Sequence, residues 1–521
     1  MFKFLKEFIK REKWIFISFI FFSFVATGIS IYLPILNGRI IDILTEGEDI
    51  IELRNKIIII SSLLAFSLVL SYFLSMTYHK INIRIMRDIN FRTVSHIRNL
   101  PLSFSNNLNT GYLTQRIIGD SGAISSFTVT SSRDFPLKVL TILFNVVILF
   151  KINVRIGLVL IVLIPLYILL FSSFKKKMYK SNKIYKEAES LYFGEMNSQM
   201  EKIKFIKVNA LKTMFENSLN LSFSNFFDKS ISYKKISTLF GNVGSFFTVC
   251  ANILILSLGV REIFARNLTI REFTVITTYF NMVINTVNYF LDFARSYQMT
   301  LVSFNRIKEI LDKEVEKNGN IEIKDITKIE FKDLSFAFNN NKIFNNFNYT
   351  FEKGKVYRIR GNNGKGKSTL FNLILGLYDY DGDIFINDIN LKEVNIYKMR
   401  RDLIAVVEQD LTIINGSVNE NIKLNRRINN KDILDISEKL NANNLFEKDK
   451  VNFSGGEKQK INIIRNFARE SKLLMLDEAN SALDTESSET LKYMINKDKI
   501  TLVISHNDIF DEIIDEFVEI K

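Results

Sequence analysis

Residues Gly361, Asn362, Asn363, Gly364, Lys365, Gly366, Lys367, Ser368 and Thr369 fit the phosphate-binding pattern G-x-x-x-x-G-K-[ST]. Glycines let a backbone bend so that successive N–H groups face a phosphate. A helix opening just after them adds its positive dipole. In such a loop Lys367 would reach the β- and γ-phosphates of a nucleotide, and the Ser368 hydroxyl would bind Mg²⁺. Further along come four more polar groupings: Gln409; Ser454-Gly455-Gly456-Glu457; Asp477-Glu478 followed by Ser481-Ala482-Leu483-Asp484; and His506. A Gly/Asn/Lys surface turn is the alternative for the loop alone, so its setting decides.

That setting is a strand, a turn and a helix. Residues 356–359 alternate as a short strand, and 370–375 suit the start of a helix. Alternation at 329–331 and 334–338 predicts two more strands, the second ending in Phe338. The runs 403–410, 472–478 and 501–506 read as buried strands, each ending in polar residues. Parallel strands carry ligand-binding groups at their carboxyl ends, so Gln409, Asp477, Glu478 and His506 should meet at one sheet edge beside the loop.

The first 311 residues are different in kind. Hydrophobic residues make up 47% of the 521-residue chain and Phe alone numbers 46. Residues 1–13 alternate apolar and basic side chains and predict an amphipathic helix on a bilayer surface. Crossing the hydrocarbon core takes about 20 apolar residues. Spans are therefore expected at about 14–38, 57–78, 135–150, 156–174, 236–260 and 273–291, the third with Lys138 snorkelling or facing a polar interior. The segment between the first two spans is acidic. The long connections 80–132 and 175–235 are rich in Lys and Arg and are expected in the cytoplasm, with both termini. This bias accounts for much of the net charge of +13, so no nucleic-acid partner is implied. The two basic connections read as helices that run past the bilayer, turn and return. Residues 312–327 read as a charged linker, which leaves 328–521 as a second, α/β domain. The single cysteine, Cys250, gives no basis for a disulfide framework, a Cys-rich zinc site or a fused cysteine peptidase. No cleavable signal peptide is expected.

Taken together, the chain resembles a half-transporter of the ATP-binding cassette exporter family. The phosphate loop, Ser454-Gly455-Gly456-Glu457, a strand ending Asp477-Glu478, Ser481-Ala482-Leu483-Asp484 and a strand ending at His506 stand in that family's order, behind six spans. The resemblance implies an all-α membrane domain fused to an α/β P-loop ATPase, with ATP and Mg²⁺ as cofactors. It implies that Asp477 holds Mg²⁺, that Glu478 is the general base or polarises the attacking water, and that His506 contacts the γ-phosphate. Gln409 would touch Mg²⁺ or that water and relay to the membrane half. Phe338 would stack on adenine, although an aromatic there also suits a core. Ser454–Glu457 would complete the nucleotide site of a second half-transporter, most simply another copy of this chain, and Asp484 would be a further nucleotide-binding residue. The expected activity is ATP-driven export from a cell membrane; an ATP-gated channel, a regulatory subunit or half of a heterodimer are the alternatives. Three departures stand out: Glu457 in place of the commoner Gln, Lys365 in place of a small residue, and a short segment between Gln409 and Ser454.

Overall fold

The computed structural model describes Glu7 and residues 10–46, 50–105, 109–338, 341–362, 364–409, 412–447 and 453–520. Most of the amphipathic segment expected at 1–13, and Asn363 of the loop, lie outside them. The chain divides into two units: Met1–Leu100 with Asn107–Glu314, and Pro101–Asn106 with Val315–Lys521.

Among the described residues, the first unit has six long helices: α1 (Lys13–Glu46), α2 (Ile50–Arg98), α3 (Thr110–Ile152), α4 (Val154–Glu201), α5 (Lys212–Phe264) and α6 (Ile270–Leu311). At about 1.5 Å per residue, the 49 residues of α2 exceed a hydrocarbon core of about 30 Å more than twofold, so α2 must run past it. α4 and α5 are just as long. Short helices, Leu102–Ser105 and Ile203–Val208, stand between α2 and α3 and between α4 and α5. Ends are set locally: Asn109 caps α3 by accepting from the Tyr112 N–H, and Thr269 with Glu272 forms a capping box on α6. Pro34, Pro136 and Pro165 lie inside α1, α3 and α4, as membrane helices tolerate.

Among the described residues, four of these helices (α1, α2, α3 and α5) are long and apolar enough to cross a membrane. α6 is a continuous helix, but Asn281, Asn285 and Asn288 lower its hydropathy. For α4, most side chains between 156 and 171 lie outside the described residues.

The second unit carries two sheets. One is antiparallel, in the order β2 (Asn341–Glu352), β1 (Lys328–Phe338), β4 (Asp381–Ile386), β5 (Ile389–Asn390). The two strands expected at 329–338 are one, β1, whose pairing shifts register around Asp333, a residue at φ 51°. The other sheet is parallel, in the order β6 (Ile404–Val407), β7 (Leu473–Asp477), β8 (Ile500–Ile504), β3 (Val356–Arg360), β9 (Glu516–Glu519). Both of its faces are covered. Along β7, Leu473 and Met475 enter the core shared with the antiparallel sheet, and Leu474 and Leu476 enter the core on the opposite face. Residues 316–321, inside the expected linker, are bonded to this unit. Gly319 N–H donates to Val394 O at 3.0 Å, and the Arg400 guanidinium pairs with Glu316 at 2.8 Å.

Candidate active site

All five strands of the parallel sheet run the same way, so β3, β6, β7 and β8 present their carboxyl ends at one edge. The phosphate loop leaves β3 and enters α7 (Lys367–Ile374). Gly366 caps α7 at φ 99°, and a Cβ there would stand 2.3 Å from Ile343 Cγ2 on β2. Any other residue would be strained and would collide, so the glycine is required by both backbone and packing. Lys367 folds back across the loop, its ammonium donating to Gly361 O at 2.8 Å.

The next residue, Ser368, hydrogen-bonds the Asp477 carboxyl at the end of β7. Burial pushes Asp477 above the usual carboxylate range, and that hydrogen bond opposes the rise. Both groups offer oxygen, which suits a hard cation such as Mg²⁺. Glu478 follows at φ 50°, a left-handed conformation uncommon outside glycine. Its N–H donates to Ile504 O at 2.9 Å, which fixes β7 to the end of β8. Its two carboxylate oxygens take different partners. Gln409 Nε2 donates to Oε2 at 2.9 Å, and His506 Nε2 lies 2.9 Å from Oε1. Thus the ends of three strands meet on one carboxylate, beside the Ser368–Asp477 pair.

Ser454 and Asp484 are held elsewhere. Ser454 caps α11 (Gly455–Phe467; α8, Ile396–Asp402, α9, Val418–Lys423, and α10, Asn430–Lys439, precede it). Ser454 N–H donates to Glu457 Oε2 at 2.8 Å, and Glu457 N–H returns a bond to Ser454 Oγ. Glu and Gln serve this capping box equally well, which explains why Glu457 is tolerated. At Gly456 a Cβ would stand 2.9 Å from Ala482 O, so the start of α11 lies directly against the Ser481–Asp484 segment. Asp484 caps α12 (Thr485–Met494) through Ser487 N–H at 2.7 Å and lies 3.3 Å from Lys460. The Ser487 bond holds Asp484 down at about 2. Phe338 is 42% exposed, so it is no core residue, and its ring meets Tyr378 edge to face at 5.4 Å.

One residue of the site escapes the sequence motifs. Arg358, in the middle of β3, is 4% exposed. Its guanidinium donates to Ser505 O at 3.2 Å and to Asn507 O at 3.0 Å, the carbonyls on either side of His506. It also pairs with Asp508 at 3.0 Å and with Asp511. From the loop after β7, Asn480 donates to the Asn507 side chain at 2.7 Å. The segment bearing His506 is thus tied down from two neighbouring strands. An arginine between the apolar residues Tyr357 and Ile359 of a strand was the available signal.

With this geometry in hand, comparison with known proteins is direct. Residues 15–287 match the family described as the ABC transporter transmembrane region, and 344–481 match the ABC transporter family. An uncharacterized ABC transporter ATP-binding protein of Bacillus subtilis, YwjA, is 25% identical over 508 residues, covering 93% of this chain and 88% of that protein. Another B. subtilis protein, YgaD, provisionally named a multidrug export ATP-binding/permease protein, is 25% identical over 533 residues, 96% of this chain and 91% of its own. The structure of a bacterial Atm1-family ABC exporter with ATP bound superposes with a TM-score of 0.88 at 16% identity, over 98% of this chain and 94% of that one. At that identity the likeness is one of fold.

Proposed function

The chain belongs to the ABC transporters, with transmembrane region and ATPase in one polypeptide, and from that premise we propose an exporter that works as a dimer of two such chains. The observation that carries the reading is the convergence of Gln409, Glu478 and His506 beside the phosphate loop, in a chain that also holds six long helices. ATP hydrolysis at that site drives transport across the membrane.

In this reading all six long helices span the bilayer, with the cassette and both termini in the cytoplasm. Gly361–Thr369 cradle the phosphates and Lys367 neutralises their charge. Ser368, Asp477 and Gln409 would hold Mg²⁺, whose chemistry is to offset charge on the phosphate oxygens. Glu478 polarises the attacking water, with His506 and Gln409 fixing its two oxygens. Phe338 offers its open face to adenine. Ser454–Glu457 and Asp484 serve the nucleotide held by the partner chain. ATP binding closes the two cassettes, and hydrolysis resets the membrane half, a population shift between two arrangements.

The test is the purified chain in sealed vesicles with cassettes facing the bath. ATP-dependent, vanadate-sensitive movement of a dye into the lumen is expected. Ion conductance switched on by ATP binding, with no turnover and no dye movement, would replace the exporter with a gated channel.

A further inference from the structure

A cavity of about 450 Å³ opens between α1, α3 and α6, with Leu74 of α2 at its wall. Part of its wall is apolar, including Ala26, Leu74 and Met282, and part is polar. Of the five hydroxyls on this wall, those of Ser23, Thr27, Thr141 and Thr286 are committed to their own helices, and Ser30 is the exception. Ser23 Oγ donates to Phe19 O at 2.7 Å, Thr141 to Leu137 O at 2.9 Å and Thr286 to Met282 O at 2.8 Å. What those four leave toward the cavity is acceptor capacity, joined by the Ser30 hydroxyl and the Asn285 amide.

Charge on the wall comes from α3 alone. Arg133 bonds its neighbour Asp134, and its guanidinium also lies 5.4 Å from the centre of the Phe19 ring. That pair is neutral. Lys138, one turn further on, forms no ion pair among the described residues. Its ammonium stands 6.0 Å from the Tyr289 ring centre, the outer limit of a cation–π contact. Arg133, Asp134 and Lys138 together leave the cavity one uncompensated positive charge. In the expected span 135–150 Lys138 lies one turn from the end and faces the cavity, where an unpaired cation is costly, so an anion placed beside it is favoured.

We propose that this cavity binds the transported molecule and selects amphiphiles with an anionic head, whose charge Lys138 neutralises. The inference rests on the export reading above. The ligand has an apolar body for Leu74 and Met282 and donor groups for the serine and threonine oxygens. Such a head belongs to a free carboxylate-bearing solute or to an anionic lipid.

The whole chain is reconstituted in phosphatidylcholine vesicles, and ATP hydrolysis is followed with fluorescein and with rhodamine 123. These xanthene dyes have similar size and opposite charge. Fluorescein is expected to stimulate several-fold more than rhodamine. Lys138→Gln should bring the ratio of the two close to one, and Lys138→Arg should preserve it. Because a ratio is read, a lower yield of folded variant does not affect it. Adding phosphatidylglycerol separates the sources. Fluorescein stimulation in phosphatidylcholine alone identifies a solute. Stimulation by the anionic lipid alone, removed by Lys138→Gln, identifies a lipid head. A rhodamine preference in the unaltered protein, or a fluorescein preference that survives Lys138→Gln, overturns the proposal. A protein that hydrolyses ATP with neither dye nor phosphatidylglycerol, and moves neither dye, overturns the export reading on which it rests.

Discussion

Glu478 combines a left-handed backbone with a side chain bonded on both oxygens. Non-glycine residues persist in that conformation where the surroundings over-determine them, and such positions cluster at active sites. Glu478→Gln keeps the shape and removes the base. Turnover should fall at least ~10²-fold, the lower scale for losing a general base, while ATP still binds and the protein accumulates as an ATP-bound closed dimer. Near-normal turnover in that variant would remove Glu478 from its role. Arg358 makes a separate prediction. It holds the carbonyls on both sides of His506 and is itself buried. Arg358→Met should therefore lower kcat by roughly 10-fold or more through misplacement of His506, leave KM for ATP little changed, and be partly rescued by Arg358→Lys. A folded Arg358→Met protein with normal kcat would reduce the arginine to a packing residue. The loop and the residues ending each strand were legible because their chemistry demands those types at those places. Arg358 was not, because a strand covered on both faces has no solvent side to mark which residues are buried; its neighbour Val356 enters one core and Tyr357 and Ile359 the other.

At the scale of elements, three helices of the membrane unit are joined by one buried cluster. Asp120 on α3 accepts from Ser303 and Arg306 of α6, each at 2.8 Å, and Arg306 also donates to Ser190 of α4 at 2.6 Å. Asp120 and Arg306 are only 2% and 3% exposed. Breaking a buried pair by removing one partner costs up to about 3–5 kcal/mol, and Asp120→Ala would leave Arg306, among the described residues, only the more exposed Glu187 as an acidic partner, 3.4 Å away. Asp120→Ala should therefore lower the unfolding midpoint in detergent more than the double variant Asp120→Ala, Arg306→Met. A midpoint is the appropriate measure, since a multidomain protein need not unfold in one step. Nothing in the sequence marks Asp120 as the partner of a residue 186 positions away. Local periodicity told more about α6 itself. Asn281, Asn285, Asn288, Asp292 and Arg295 recur at helical spacing, and that spacing predicts one polar stripe. In the structure Asn281 and Asn285 are exposed, Asn288 reaches Thr248 of α5 at 3.5 Å, and Asp292 pairs with Arg295 at 2.7 Å. Val283 and Val287, at 0% and 7% exposure, face the opposite way into the bundle core. Single cysteines at 281 and 285, in a Cys250→Ser background, should react with a water-soluble thiol reagent and change on trapping with ATP and vanadate. Cysteine at 288 should react less. Labelling at 283 and 287 instead would turn the stripe away from the transport path. The same asparagines that make the stripe readable weaken the hydropathy of α6, so a periodic signal and an average signal disagree over one helix for a single physical reason.

At the scale of the whole molecule, the site residues fall into two bonded sets. Ser368, Asp477, Glu478, Gln409 and His506 form one. Ser454 and Glu457 form the other, closed on each other through the cap of α11 and set against the segment that leads to Asp484. A helix N-terminus with two glycines and a serine suits a phosphate, and a two-fold dimer would place each such terminus over the partner's loop. One chain would then hold two half-sites, and a dimer two whole ones. Lys367→Ala disables the loop half and Ser454→Arg the other half, so either variant alone has no intact site. In a mixed dimer, one site combines both lesions and the second combines neither. Random mixing makes half the dimers mixed, so roughly a quarter of all sites should be intact, and the mixture should hydrolyse ATP faster than either variant by itself. The comparison is made in one membrane preparation, with chain exchange verified by two affinity tags. Full activity in each variant alone would mean that Lys367 and Ser454 do not build the site, and the shared-site arrangement would fall. A mixture no faster than its components, with exchange verified, would mean that both sites must be intact for either to turn over, or that the halves are not shared. ATP binding distinguishes those two cases. If the halves are shared, a mixed dimer should occlude one molecule of a non-hydrolysable ATP analogue; occlusion of none would count against the shared site itself.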